Sequence, residues 1–190
     1  MTMACRFTRY QIAIANLQRT ISLDVRQLRR MAEGTLFEEQ VHAADISVAL
    51  VNDAEIWRVN TQFLNHDHPT DVVSFLLESE QTIPPESYGS RTQRLRGAGK
   101  TFHGEIVIGA EYAQREAAVY RWPVQHEVLL YLVHGLLHLC GYDDLSPAEK
   151  RTMRRRESAI LHRCGITRIP RRRPRSSNGG RERRLRKVEV

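Results

Sequence analysis

The sequence predicts a single α+β domain, with about four strands in one sheet packed with helices, one of which carries a histidine pair. Two observations carry this. Short stretches such as "YQIAIANLQ" (10–18) and "DISVALVND" (45–53) alternate apolar and other residues with β-branched enrichment, whereas the longer stretches between strands space their apolar residues as helices do. One of these, "VQHEVLLYLVHGLLHL" (124–139), places Val124, Val128, Leu129, Leu132, Val133, Leu136 and Leu137 on a broad face to be buried.

Taken in order, the first strand (10–18) leads into "SLDVRQLRRMAEGTLFEEQ", where Val25, Leu28, Met31 and Ala32 keep helical spacing and Ser22 is available as N-cap. The second strand (45–53) runs into a helix over 53–65, capped by Asp53, with Ile56, Val59, Asn60 and Phe63 in register. Strands follow at "TDVVSFLL" (70–77) and "HGEIVIGA" (103–110). Helices return at 111–120 and 124–139, divided by Pro123. "SPAE" announces a last helix, with Ser146 as N-cap, Pro147 at the first helical position and Glu149 closing a capping box; Gly165 stops it near Cys164.

With 190 residues, 41% hydrophobic and 27% charged, the chain suits one globular domain, assigned to 1–170. The net charge of +7 is not spread over it. Residues 171–190, "RRRPRSSNGGRERRLRKVEV", hold nine Arg or Lys and two Glu, leaving 20 basic and 20 acidic residues in 1–170. The excess therefore belongs to a tail whose composition predicts disorder; such a tail either attracts nucleic-acid phosphates without sequence preference or is a solvated extension with no required partner. Three widely spaced cysteines, Cys5, Cys140 and Cys164, without a Cys-x-x-Cys pair, fit a reducing cytoplasm. The start lacks a signal-peptide core, and the longest uncharged run, Val128 to Tyr142, is shorter than the roughly 20 apolar residues of a spanning helix, so no membrane partner is expected. The long connection 78–100 carries Arg91, Arg94, Arg96 and Lys100. It reads as a surface loop or, alternatively, as a cationic flap beside a site.

"HGLLHLCGYDD" (134–144) holds the clearest chemistry. Residues four apart share a helix face, so His134 and His138 can offer ring nitrogens to one ion. Gly141 can then end the helix and return the chain towards that face, where Asp143 and Asp144 each offer an oxygen. A lone histidine pair is more often a half-buried feature of an amphipathic helix; the glycine and the acidic pair shift the balance to metal. Three protein ligands leave a coordination position for water, as in catalytic zinc sites. The spacing is zincin-like, similar to the extended metzincin motif, but Gly135 stands where those proteases carry their glutamate base, which argues against peptide hydrolysis.

The motif HGxLHLxGYD, present as "HGLLHLCGYD", resembles that of the YbeY family of bacterial metal-dependent endoribonucleases, implicated in ribosomal RNA maturation. "NHDHPTDVVSF" (65–75), "HGEIVIGAEYA" (103–113) and "MRRRESAIL" (153–161) resemble further family segments in the same order. The resemblance implies a mixed sheet with packed helices, one zinc ion, and hydrolysis of single-stranded RNA by zinc-bound water. His134 and His138 match the first two metal-binding histidines, and Asp143 matches the aspartate of Gly-Tyr-Asp. Asp144 takes the position where most members carry a third histidine, so it is expected as third ligand ahead of Asp143. A second departure is Leu64, where many members have an arginine able to bind phosphate; a cation from 91–100 is one replacement.

The catalytic and metal residues expected are thus His134, His138 and Asp144. Single-stranded or ribosomal RNA is the expected partner, with the small ribosomal subunit or assembly proteins as further candidates and no DNA. The alternatives are a non-catalytic ribosome-assembly or RNA-binding protein with a structural metal and, more weakly, a metzincin-like protease. Glu127, two turns before His134, is a candidate to orient a ligand or to serve the helix start. His66, His68 and His103 read as surface histidines with a lesser prospect of function, Cys140 as a small core residue, and Thr70, Asp71 and Ser74 as cleft-lining or structural.

Overall fold

A computed structural model describes residues 9–64, 67–88, 95–170 and 187–189. The elements run β1 (Tyr10–Asn16), α1 (Val25–Glu38), β2 (Ala43–Val51), α2 (Asp53–Leu64), β3 (Val72–Gln81), a 3-10 turn (Pro85–Tyr88), β4 (Lys100–Gly109), α3 (Ala110–Tyr120), α4 (Val124–Cys140), α5 (Pro147–Arg163) and β5 (Lys187–Glu189). Strand order is β1-β2-β4-β3-β5. β1 is parallel to β2 and β2 to β4, while β3 runs antiparallel to β4, so the sheet is mixed as expected. The short β5 lies parallel to Ser74–Leu76 at the far edge, within the tail predicted to be disordered; 171–186 and 190 lie outside the described residues.

Hydrophobic burial sets the layering. β2 and β4 alternate, burying Ala44, Ile46, Val48 and Leu50 and, beside them, Phe102, Ile106 and Ile108. These side chains meet α1 through Leu28, Met31, Ala32 and Leu36, and α4 through an almost continuous apolar surface from Val128 to Cys140. A helix that is apolar nearly all round belongs inside. α4 accordingly packs against α1, α3, α5, β3 and β4, and at Gly135 it lies tightly against the sheet. A Cβ there would sit 3.1 Å from Ile106 Cγ2 and 3.4 Å from Val72 Cγ2.

Two caps differ from expectation. Asp24, not Ser22, caps α1, its carboxylate accepting from Gln27 N at 3.0 Å, because α1 begins at Val25. Asn52, not Asp53, accepts from Glu55 N at the start of α2, which leaves the Asp53 carboxylate to pair with Arg115. The Ser146 capping box of α5 forms as predicted.

Candidate metal centre

His134 and His138 project from one face of α4, and their Nε2 atoms stand 3.0 Å apart. Gly141 then adopts φ +104, a left-handed conformation that side-chain-bearing residues rarely take, and its N–H closes the helix on His138 and Leu137 carbonyls. The chain turns back so that Asp144 brings Oδ1 4.0 Å from His138 Nε2. Donor atoms of His134, His138 and Asp144 all lie within 4.8 Å of one another. Asp143 is turned to a local task, accepting from Asp144 N at 2.7 Å.

The remaining ring nitrogens are held from behind. His138 Nδ1 lies 3.0 Å from the Tyr142 carbonyl, which can only accept, so Nδ1 carries the proton and Nε2 presents a lone pair. His134 Nδ1 lies 2.5 Å from Glu157 Oε1 on α5, which orients its Nε2 in the same way. Two imidazole acceptors 3.0 Å apart repel each other unless a cation or a shared proton lies between them. Burial pushes the His134 pKa down, but the Glu157 hydrogen bond and the charges of Glu157, Asp144 and Asp71 outweigh it, and the net shift is upward. Burial also raises the Asp144 carboxyl, against the charges of His134 and Lys150. The pocket thus favours positive charge, and two imidazoles with one carboxylate fit the donor set of zinc.

The turn carrying the Tyr142 carbonyl is clamped from several sides. Arg96 donates to Gly141 O at 2.7 Å and stacks over the Tyr142 ring, while Lys100 donates to Cys140 O at 2.9 Å. Both cations meet the carbonyl end of α4, where the helix dipole favours them. The described cations of the 78–100 connection, Arg96 and Lys100, therefore brace this turn; Arg91 and Arg94 lie outside the described residues. Beneath, the buried Glu39 carboxylate takes two hydrogen bonds from Arg156 of α5 on Oε1 alone, at 2.6 and 2.8 Å. Glu39 Oε2 and the Tyr142 hydroxyl are buried with no hydrogen-bond partner among the described residues. Burial, and then the neighbouring Glu39 charge, push the Tyr142 phenol well up, so it stays neutral.

Of the other candidates, Glu127 is buried and accepts from Trp122 Nε1 at 2.6 Å, serving the start of α4. Asp71 caps the start of β3 through Val72 N and contributes to the field at His134. Thr70 donates to Asp71, Ser74 is buried in β3, and Cys140 is fully buried in the core. His103 is exposed on β4, and His68 packs with Asn60. His66 and the Leu64 side chain lie outside the described residues. Glu157 escaped the sequence reading. Its signal was a lone acid after three arginines, set three and four residues before the core positions Ile160 and Leu161.

These features define a class: an α+β domain built on a central helix that carries a candidate metal centre and has a glycine, packed against Ile106, at position 135 where a glutamate base would stand. The family model described as Endoribonuclease YbeY matches residues 13–165, and the chain belongs to that family. The Endoribonuclease YbeY of Desulfitobacterium hafniense is 33% identical over 138 residues, covering 73% of this chain and 83% of the relative. That of Pelotomaculum thermopropionicum is 32% identical over 161 residues, covering 83% and 99%, and that of Heliobacterium modesticaldum is 36% identical over 124 residues, covering 65% and 72%.

Proposed function

We propose that this chain is a single-strand-specific endoribonuclease acting in ribosomal RNA maturation and ribosome quality control, with one zinc ion held by His134, His138 and Asp144. The observation that carries the reading is the pair of Nε2 lone pairs 3.0 Å apart, each fixed from behind at Nδ1, with a carboxylate beside them. Bound zinc supplies a Lewis acid that activates water and polarises a phosphoryl oxygen. The residues do the rest. Glu157 and the Tyr142 carbonyl hold both imidazoles in the metal-binding tautomer, and the Arg96 and Lys100 contacts keep the Tyr142 turn in place. Asp144 brings a negative charge where most of the family has a neutral imidazole, which lowers the effective charge of the ion and with it the acidification of water.

RNA, the ribosomal small subunit or its assembly proteins, and a cytoplasmic setting accompany this reading. No helix among the described residues is long and apolar enough to cross a membrane. The domain core is 1–170, with β5 of the basic 171–190 segment paired at its sheet edge and that segment adding sequence-independent attraction to phosphate.

The test is cleavage of a defined single-stranded RNA by chelated and zinc-restored protein, with metal analysis of wild type, Asp144→Asn and a His134→Ala, His138→Ala double variant. Chelation should abolish cleavage and zinc restore it, and the double variant should hold no zinc while remaining folded. Cleavage that survives chelation, or a double variant with its full zinc content, overturns the proposal. RNA bound but never cut points to the assembly-factor alternative.

A further inference from the structure

α5 carries two kinds of charge. Its acidic residues are committed: Glu149 closes the capping box with Ser146, and Glu157 holds His134. Two of its arginines are committed as well, Arg156 to Glu39 and Arg163 to Glu38. Arg151, Arg154 and Arg155 are exposed, and among the described residues none of them forms an ion pair. Since residues 1–170 balance 20 basic against 20 acidic residues, this uncompensated group is a local feature and not a share of a uniform surplus.

Its position follows from helix geometry. Lys150, Arg154 and Glu157 recur at intervals of four and three, so they lie along one strip of α5. Glu157 touches His134 from that strip, and α5 itself starts three residues after Asp144. Arg151 and Arg155, again four apart, lie on the adjoining solvent side. The basic strip therefore begins at the edge of the metal centre and leads away from it. Lys150, in the first turn, is close enough for its charge to act on Asp144.

We propose that Arg151, Arg154 and Arg155 form a phosphate track that holds single-stranded RNA beside the His134, His138, Asp144 centre. The polymer is named on the strength of the nuclease reading above; the track itself is argued from charge and placement. Guanidinium groups suit it because each offers a planar fork of donors to phosphate oxygens and stays charged at any working pH.

The experiment measures binding apart from cleavage. Zinc-loaded full-length protein is titrated into a fluorescent 2′-O-methyl single-stranded oligonucleotide at several salt concentrations, followed by anisotropy, with the strand checked for integrity on a gel. Each phosphate contact on a single strand contributes about 0.7 to the slope of log affinity against log salt, so an Arg151→Gln, Arg154→Gln, Arg155→Gln variant should lower that slope by about 2. Its zinc content and melting temperature should match wild type. A control loses the same charge near the other end of α4 through Arg19→Gln, Arg26→Gln and Arg121→Gln, where Asp24 N meets Gln125; its slope should stay unchanged. An unaltered slope in the α5 variant, or an equal fall in the control, overturns the track. Wild type that binds with the full slope but never cuts unmodified RNA overturns the nuclease reading and leaves the track standing.

Discussion

Removing Arg156 alone should damage this protein far more than removing Arg156 and Glu39 together. Arg156 places Nη2 and Nε 2.6 and 2.8 Å from one oxygen of Glu39, whose side chain is 0% exposed, while Arg156 keeps 21% of its own surface in water. Arg156→Met strands a carboxylate that already has an unpartnered oxygen. Breaking a buried pair from one side costs about 3–5 kcal/mol, and the partial exposure of Arg156 places this case near the lower end, about 3 kcal/mol. For a chain of 150–250 residues each kcal/mol moves the melting temperature by about 2–4 °C, so a drop of about 6–12 °C is expected. Adding Glu39→Leu removes the stranded charge and should recover most of that loss. The assay is a double-mutant cycle by urea unfolding of zinc-loaded protein. A single variant within about 1 kcal/mol of wild type, or a double variant no more stable than the single one, would refute the reasoning.

Two further outcomes follow from the same geometry. Glu157→Gln keeps the shape of the His134 partner but removes its charge, and zinc affinity measured against a competing chelator should fall by about 10–100-fold; an unchanged affinity would show that Glu157 does not tune this ligand. In zinc-free protein His134 binds its proton more tightly folded than unfolded, since its pKa stands above the ordinary 6.5. That stabilisation is complete below about pH 6.5 and is lost as pH rises through the folded value, so urea midpoints of chelated protein should decline as pH rises above about 6.5 and His134→Gln should flatten the decline. A midpoint that climbs over this range contradicts the assignment.

The strands and helices that were legible are those whose burial is written locally. β2 shows its alternation, α4 its apolar surface and α5 its capping box, and each appears within two residues of the predicted limits. The second half of β3, Glu78–Gln81, was not legible. It is polar and exposed, and it is a strand only because β4 lies opposite, Lys100–His103 pairing with it beyond a register shift after Leu76. Ser22 was a plausible cap by residue type, yet where α1 begins decides which side chain reaches its first amides, and that start is set by packing Leu28 and Met31 against the sheet.

The same division runs through the candidate centre. His134, His138, Gly141 and Asp144 could be read because one helical turn and one tight turn bring them together within eleven residues, "HGLLHLCGYDD". What orients them could not, because the supports come from far along the chain: Glu157 23 residues from His134, Arg96 45 from Gly141, and Glu39 117 from Arg156. The two neighbours on α5 divide the work, Glu157 fixing His134 directly and Arg156 holding the carboxylate that stands next to Tyr142, whose carbonyl fixes His138. Loosening α5 should therefore disturb both histidines at once. A helix whose sequence reads mainly as charge becomes the frame on which the metal geometry depends.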